Sequence, residues 1–153
     1  STYWLFVELL WREFFQWTAY NAGKLLFIPA GLQPEEPWKP HFNKRKYEQW
    51  KNGETGDPLV DANMKELLAT GFMSNRGRQN VASYLIHDMG LDWRSGAAWF
   101  ESQLIDFDPA SNYGNWLYIA GRGNDPRPFR KFNTKMQLER YDPDNSYVNT
   151  WLN

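Results

Sequence analysis

Cysteine is absent from this chain of 153 residues, which excludes disulfides and any thiolate-built metal or redox centre. Its two histidines, His41 and His87, are far apart, so no Cys/His metal cluster is available and no metal site is expected. A surplus of one charge is lacking too. Lys and Arg number 17 against 18 Asp and Glu, a net charge of −1, which excludes a surface that is basic all over and leaves room only for a local basic face. There is no Walker loop and no His-Glu-x-x-His, and Gly121-Arg122-Gly123 lacks the third glycine and the preceding strand of a dinucleotide fingerprint. Strand-type alternation of useful length and internal repeats are missing, so the expected fold class is all-α, at a length suited to one domain.

What the chain has in excess is aromatic surface. Nine tryptophans within an 18% aromatic content imply an unusually aromatic core, or rings set aside for a flat ligand. Tyr3 to Tyr20 is apolar nearly all round. Glu8, Arg12 and Glu13 in its middle would cost about 2.5–3.5 kcal/mol each at a bilayer centre, so a buried core helix is expected rather than a membrane span. Gly23 to Pro40, rich in Gly and Pro, reads as an irregular connection. A short helix is expected over Phe42 to Trp50, closed by Asn52-Gly53. Asp57-Pro58 then opens a helix whose apolar stripe is Val60, Met64, Leu67 and Leu68 and which ends at Gly71. The next runs from Ser74 to Met89 with Ala82, Leu85, Ile86 and Met89 inward, stopped by Gly90. Asp92 caps another, with Trp93, Ala97, Phe100 and Leu104 on one face. Asp106 to Pro109 reads as a break, followed by a helix from Asn112 to near Gly121, a turn-rich loop over 123–128, and short helices around Lys135 to Glu139 and Tyr147 to Leu152.

The run from Thr70 to Asn80 crowds two arginines and several amides around a helix start. Ser74 reads as the N-cap, at an end that favours anions. Arg76 and Arg78, two residues apart, point about 200° away from each other and so face different partners, unless both are simply solvated. Together with Asp106, Asp108, Asn75, Asn112, Asn115 and the many large rings, Arg78 belongs to a donor and acceptor set suited to the edge of a flat heteroaromatic ligand. A flavin meets that description.

These residues also carry a resemblance. Glu8-Leu9-Leu10-Trp11-Arg12-Glu13, the stretch from Gly53 to Met64, the run up to Ser83, and Leu104 to Trp116 resemble the C-terminal part of the FAD-binding domain of photolyases and cryptochromes. Met73 to Asn80, Ser111 to Trp116 and Gly123-Asn124-Asp125-Pro126-Arg127 resemble the DASH cryptochrome branch in particular. The likeness covers nearly the whole chain, in order.

The resemblance implies that Arg12, Phe72, Asn75, Arg78, Asp106, Asp108 and Asn112 surround FAD. Asn112 would face the reactive ring nitrogen, and Arg78 would pair with Asp106 beside the ring; the alternative is an ordinary internal ion pair. It implies that Trp116, Trp93 and Trp38 relay an electron from the surface to the photoexcited flavin, against the commoner role of Trp in core packing. On the substrate side it assigns Glu8, Trp11, Asn75, Gln79 and Tyr118 to the pocket for a flipped pyrimidine dimer, with Arg76 on a backbone phosphate. Arg12, four residues beyond Glu8, could equally pair with it on the helix surface.

The resemblance further implies that residues 1–153 form one truncated domain. The antenna domain, its second chromophore and the loop that clasps the FAD phosphates are not expected on this chain. Two functions follow from different classes: a blue-light-absorbing FAD protein that repairs cyclobutane pyrimidine dimers in single-stranded DNA as a photolyase-type lyase, or a non-catalytic structural subunit. Partners would be FAD, single-stranded DNA and another chain completing the domain. The setting would be intracellular, chloroplast or mitochondrion in a eukaryote and cytoplasm in a bacterium.

Overall fold

A computed structural model describes residues 2–33, 39, 41–125 and 130–153. The described residues are helical and contain no strand: α1 Thr2–Ala22, α2 Lys44–Lys51, α3 Pro58–Thr70, α4 Asn75–Ser83, α5 Trp93–Gln103, α6 Pro109–Ile119, α7 Thr134–Tyr141 and α8 Ser146–Leu152. A 3₁₀ segment, Gly23–Phe27, follows α1 inside the stretch expected to be irregular.

Local chemistry sets most of the boundaries. Asn43, Asp57, Ser74, Asp92, Asp108 and Asn133 each accept a hydrogen bond from a first-turn amide with their side chains, and Pro58 and Pro109 stand just inside their helices. Gly71 ends α3 in the left-handed region, φ 69°, where a Cβ would also come within 2.8 Å of Ile105 Cγ2. Here the chain turns from α3 into α4 while Ile105 N–H donates to the Gly71 carbonyl, so the start of α4 is fastened to the α5–α6 connection.

The core is built around three fully or nearly fully buried tryptophans, Trp50, Trp93 and Trp116, together with Val60, Met64, Leu67, Leu85 and Phe100. Trp50 and Trp116 meet edge to face at 6.2 Å between centroids, and Phe100 packs against both. Glycines let the helices cross closely. A Cβ at Gly96 would lie 2.2 Å from Trp116 Cη2, one at Gly77 would lie 2.0 Å from Asn63 Oδ1, and one at Gly114 would lie 2.3 Å from Phe15 Cδ1. Gly114 thereby seats α1 on α6.

Four expectations are corrected. The first helix is not buried: Phe15 is its single buried residue, while Trp4, Leu5, Phe6 and Trp17 are more than half exposed, because α1 packs mainly on α6 and the 3₁₀ segment. Leu68 leaves the expected α3 stripe and is exposed, while Val60, Met64 and Leu67 turn inward. The helix expected from Ser74 to Met89 passes into a π-helical turn at Tyr84–Asp88, which rotates its end so that Leu85 and Ile86 are buried and Met89 is only partly so. Finally, α6 begins three residues before Asn112: Asp108 is its N-cap and Pro109 its first residue, a start signal rather than a break. No helix among the described residues is long and apolar enough to cross a membrane.

Candidate functional site

The site grows from the α4 start. Ser74 Oγ accepts the Gly77 amide, and Arg78, one turn further on, donates through Nε to the Met73 carbonyl at 2.8 Å. That bond aims the guanidinium across the turn, where Nη2 donates to both carboxylate oxygens of Asp106 at 3.0 and 2.9 Å. Behind it lies the Phe72 ring, 5.9 Å from Cζ. The pair forms one rim of a cleft of about 580 Å³, counted out to its open mouth.

The opposite wall is α6. Asp108, Ser111, Asn112, Asn115, Trp116 and Ile119 lie along one stripe facing the cleft, and α5 closes it with Phe100. Asp108 caps α6 through the Ser111 amide at 2.7 Å, so its cleft-facing position and its helix-starting role coincide. Asn112 Nδ2 donates to the Ala97 carbonyl at 3.1 Å, which leaves Oδ1 as the end of that amide available to a ligand. Trp116 Nε1 is buried and has no hydrogen-bond partner, a donor with no acceptor on the wall of a cleft.

A second hollow, about 810 Å³ to its mouth, adjoins the first. Glu8, Trp11 and Arg12 come to it from α1, Gln79 from α4 and Tyr118 from α6. Trp11 stacks on Phe15 at 5.9 Å and meets Tyr118 edge-on at 6.3 Å, and the Arg130 guanidinium lies 4.4 Å from the Tyr118 ring centroid. Four residues, Asn75, Gln79, Ser111 and Asn115, belong to both hollows and form the partition between them.

The expected ring-side residues Asn75, Arg78, Asp106, Asp108 and Asn112 are thus brought together in the first cleft. Arg12 lies in the second hollow beside Glu8 and makes no ion pair with it, and Phe72 lies outside both, behind Arg78. The expected substrate-side residues Glu8, Trp11, Asn75, Gln79 and Tyr118 share the second hollow. Arg76 points elsewhere: its Nη1 donates to Gln79 Oε1 at 3.1 Å, and its Cζ sits 5.5 Å from the Tyr141 ring. Trp93 is buried, donates through Nε1 to the Pro29 carbonyl, and meets Tyr113 edge-on. Burial and the Glu101 carboxylate that accepts its hydrogen bond push the Tyr113 hydroxyl up to about 12. Trp38 lies outside the described residues.

Residues 4–153 match the family described as the FAD binding domain of DNA photolyase. The chain belongs to that photolyase and cryptochrome family. Its curated relatives place it in the DASH branch: it is 58% identical over 153 residues to cryptochrome DASH of Gloeobacter violaceus, covering 99% of this chain and 30% of that protein. Among solved structures, the Synechocystis cryptochrome superposes with a TM-score of 0.92 at 56% identity, covering 99% of this chain and 31% of that one. An archaeal photolyase from Sulfolobus tokodaii, solved with two FAD molecules, superposes at 0.85 with 38% identity, covering 95% of this chain and 33% of that one. The chain therefore spans about a third of the length of these relatives.

FAD is the cofactor of this photolyase-type domain family, and the first cleft suits its ring system on chemical grounds. Aromatic and aliphatic walls flank the space, while a guanidinium, four amides and an unpartnered indole N–H line it. Sequence reading left out Ser111 from the site, and noted Asn115 without giving it a role. The signal was present in the spacing 108, 111, 112, 115, 116 and 119, which marks one face of a helix once α6 is started at Pro109.

Proposed function

We propose that this chain provides the ring-facing and substrate-facing walls of a blue-light-absorbing FAD protein of the DASH type, with light-driven repair of cyclobutane pyrimidine dimers in single-stranded DNA as its activity. The observation that supports this most is the shared partition: Asn75, Gln79, Ser111 and Asn115 face both hollows, so a flat cofactor in one and a flipped dimer in the other lie on either side of a single layer of side chains. When bound, the flavin supplies blue-light absorption and one-electron redox chemistry.

The chain's own residues take the remaining roles. Arg78 and Asp106 hold the ring edge, and Asn112 offers Oδ1 to the reactive ring nitrogen. Trp116 and Trp93 donate electrons through their indoles, with Trp38 as the third member of the relay. In the second hollow Glu8 hydrogen-bonds the edge of the dimer, Trp11 stacks on it, and Gln79 and Tyr118 keep the pocket polar. Arg76 meets a backbone phosphate. Residues 1–153 then act as one part of a larger flavin domain whose phosphate-clasping contacts come from elsewhere.

The test is optical. Purified protein supplied with FAD should retain a yellow chromophore that bleaches under blue light with an external reductant. A colourless protein that takes up no FAD overturns the reading.

The exposed aromatic face of α1 favours a second reading, a structural or assembly subunit without catalysis. Stable co-purification with partner chains, combined with failure to take up FAD, would select it.

A further inference from the structure

Arg76 and Arg140 converge on one ring. The Cζ of Arg76, in the first turn of α4, lies 5.5 Å from the Tyr141 centroid, and that of Arg140, in the last turn of α7, lies 5.3 Å from it. Arg78, Arg94 and Arg130 each meet an aspartate, but Arg76 and Arg140 are in no ion pair among the described residues. Among the described residues, the side-chain hydrogen bond of Arg76 goes to a neutral amide, Gln79. Asp142, the adjacent acid, has its oxygens occupied at α8, where it accepts from Ser146 Oγ, the Tyr147 amide and the Val148 amide. Glu139, also next to Arg140, is exposed and in no ion pair among the described residues. Two cations held against one ring repel each other, and an anion bridging them removes that cost.

The position of the pair indicates which anion. Gln79 forms part of the partition between the two hollows and anchors Arg76, so Gln79, Arg76, Tyr141 and Arg140 form a track that leaves the second hollow and crosses from α4 to α7. Tyr141 is more than half exposed, so the track is open to solvent. We infer that Arg76, Tyr141 and Arg140 form a clamp for the phosphodiester backbone of single-stranded DNA flanking the bound lesion, with Tyr141 spacing the two guanidiniums so that they meet successive phosphates. This rests on the substrate side of the proposed function, and not on the flavin. It extends the strand contact beyond Arg76 by a residue, Arg140, and a spacer, Tyr141, to which sequence reading gave no role.

The clamp is tested with the chain as it stands, by fluorescence anisotropy of labelled thymidine oligonucleotides of three and ten residues over a salt series. Arg140→Ala should weaken the ten-mer about tenfold and lower the magnitude of its salt slope by about 0.7, the value for one phosphate contact on a single strand, while leaving the three-mer unchanged. Tyr141→Phe should retain binding because the ring remains, whereas Tyr141→Leu should lose part of it. Arg140→Gln, with its far-ultraviolet circular dichroism compared to the parent, guards against a folding artefact. A ten-mer bound equally by parent, Arg140→Gln and Tyr141→Leu, with one salt slope, overturns the clamp. So does a parent that binds no ten-mer, or inorganic polyphosphate competing equally well against parent and Arg140→Ala. Failure of FAD uptake with the Arg140 effect intact refutes the flavin reading alone.

Discussion

Arg78 reaches Asp106 through a single nitrogen, Nη2, which contacts both carboxylate oxygens, while its Nε is held by the Met73 carbonyl. The guanidinium is therefore fixed at two points, and among the described residues Nη1 makes no protein hydrogen bond at the rim of the cleft. Replacing Asp106 by Asn keeps the shape and removes the charge. FAD affinity should fall about tenfold, or about 1.4 kcal/mol, as read by flavin fluorescence titration. Stability should change by less than about 1 kcal/mol, because the Asp106 side chain is 50% exposed and solvent screens the pair.

Gly96 is the floor on which Trp116 rests. Alanine there would place a methyl 2.2 Å from Cη2 and 2.6 Å from Cζ3 of that indole, and 2.8 Å from Leu85 Cδ2. None of these atoms is at the end of a chain that can swing into solvent. Gly96→Ala should destabilise the protein by about 1–3 kcal/mol in urea titration and shift the tryptophan emission as Trp116 is displaced. An unchanged urea midpoint would show that α5 slides to accommodate the methyl.

Trp116→Phe separates packing from redox chemistry. Phenylalanine retains much of the buried volume and removes the indole N–H that has no acceptor, so the stability loss should stay below the about 3–5 kcal/mol of truncation to alanine. With FAD bound, photoreduction in blue light with an external reductant should drop to a small fraction of the parent rate. Photoreduction at the parent rate would remove Trp116 from the relay.

Asp142 makes the docking of α8 sensitive to acid. Burial opposes its charge, but hydrogen bonds from the Tyr147 and Val148 amides and from Ser146 outweigh that and hold its carboxyl below the usual 3.8. A folded-state value lowered in this way contributes stability that is complete above the ordinary carboxylate range and is lost as pH falls through the lowered value. Hydrogen exchange at the Tyr147 and Val148 amides should accelerate in that acid window. Asp142→Asn should cost about 0.5–2 kcal/mol at neutral pH and flatten the acid dependence.

Much of this architecture is legible in the sequence because short-range chemistry writes it. Asp57-Pro58, Asp92, Gly71 and Gly90 mark helix ends by the shapes and donors they offer their own neighbours, and the structure places the ends there. The residues expected beside the ring are grouped by the resemblance and by their donor and acceptor chemistry, and Asn75, Arg78, Asp106, Asp108 and Asn112 of that set do share one cleft. The burial of α1 could not be read in the same way. An apolar helix states what it avoids and not what covers it, and here only Phe15 finds a seat, at Gly114. The π turn at Tyr84–Asp88 and the outward turn of Leu68 are set by how whole helices fit together, which no local run of residues encodes. The convergence of Arg76 and Arg140 on Tyr141 joins positions more than sixty residues apart and becomes visible only after folding.

The partition formed by Asn75, Gln79, Ser111 and Asn115 has a thermodynamic corollary. Any two guests that each reorder these four side chains must influence each other's affinity by the same factor in both directions. A substitution in this layer cannot adjust one chamber while leaving the other as it was, so under the proposed function cofactor retention and lesion choice would be selected through a single, shared set of atoms.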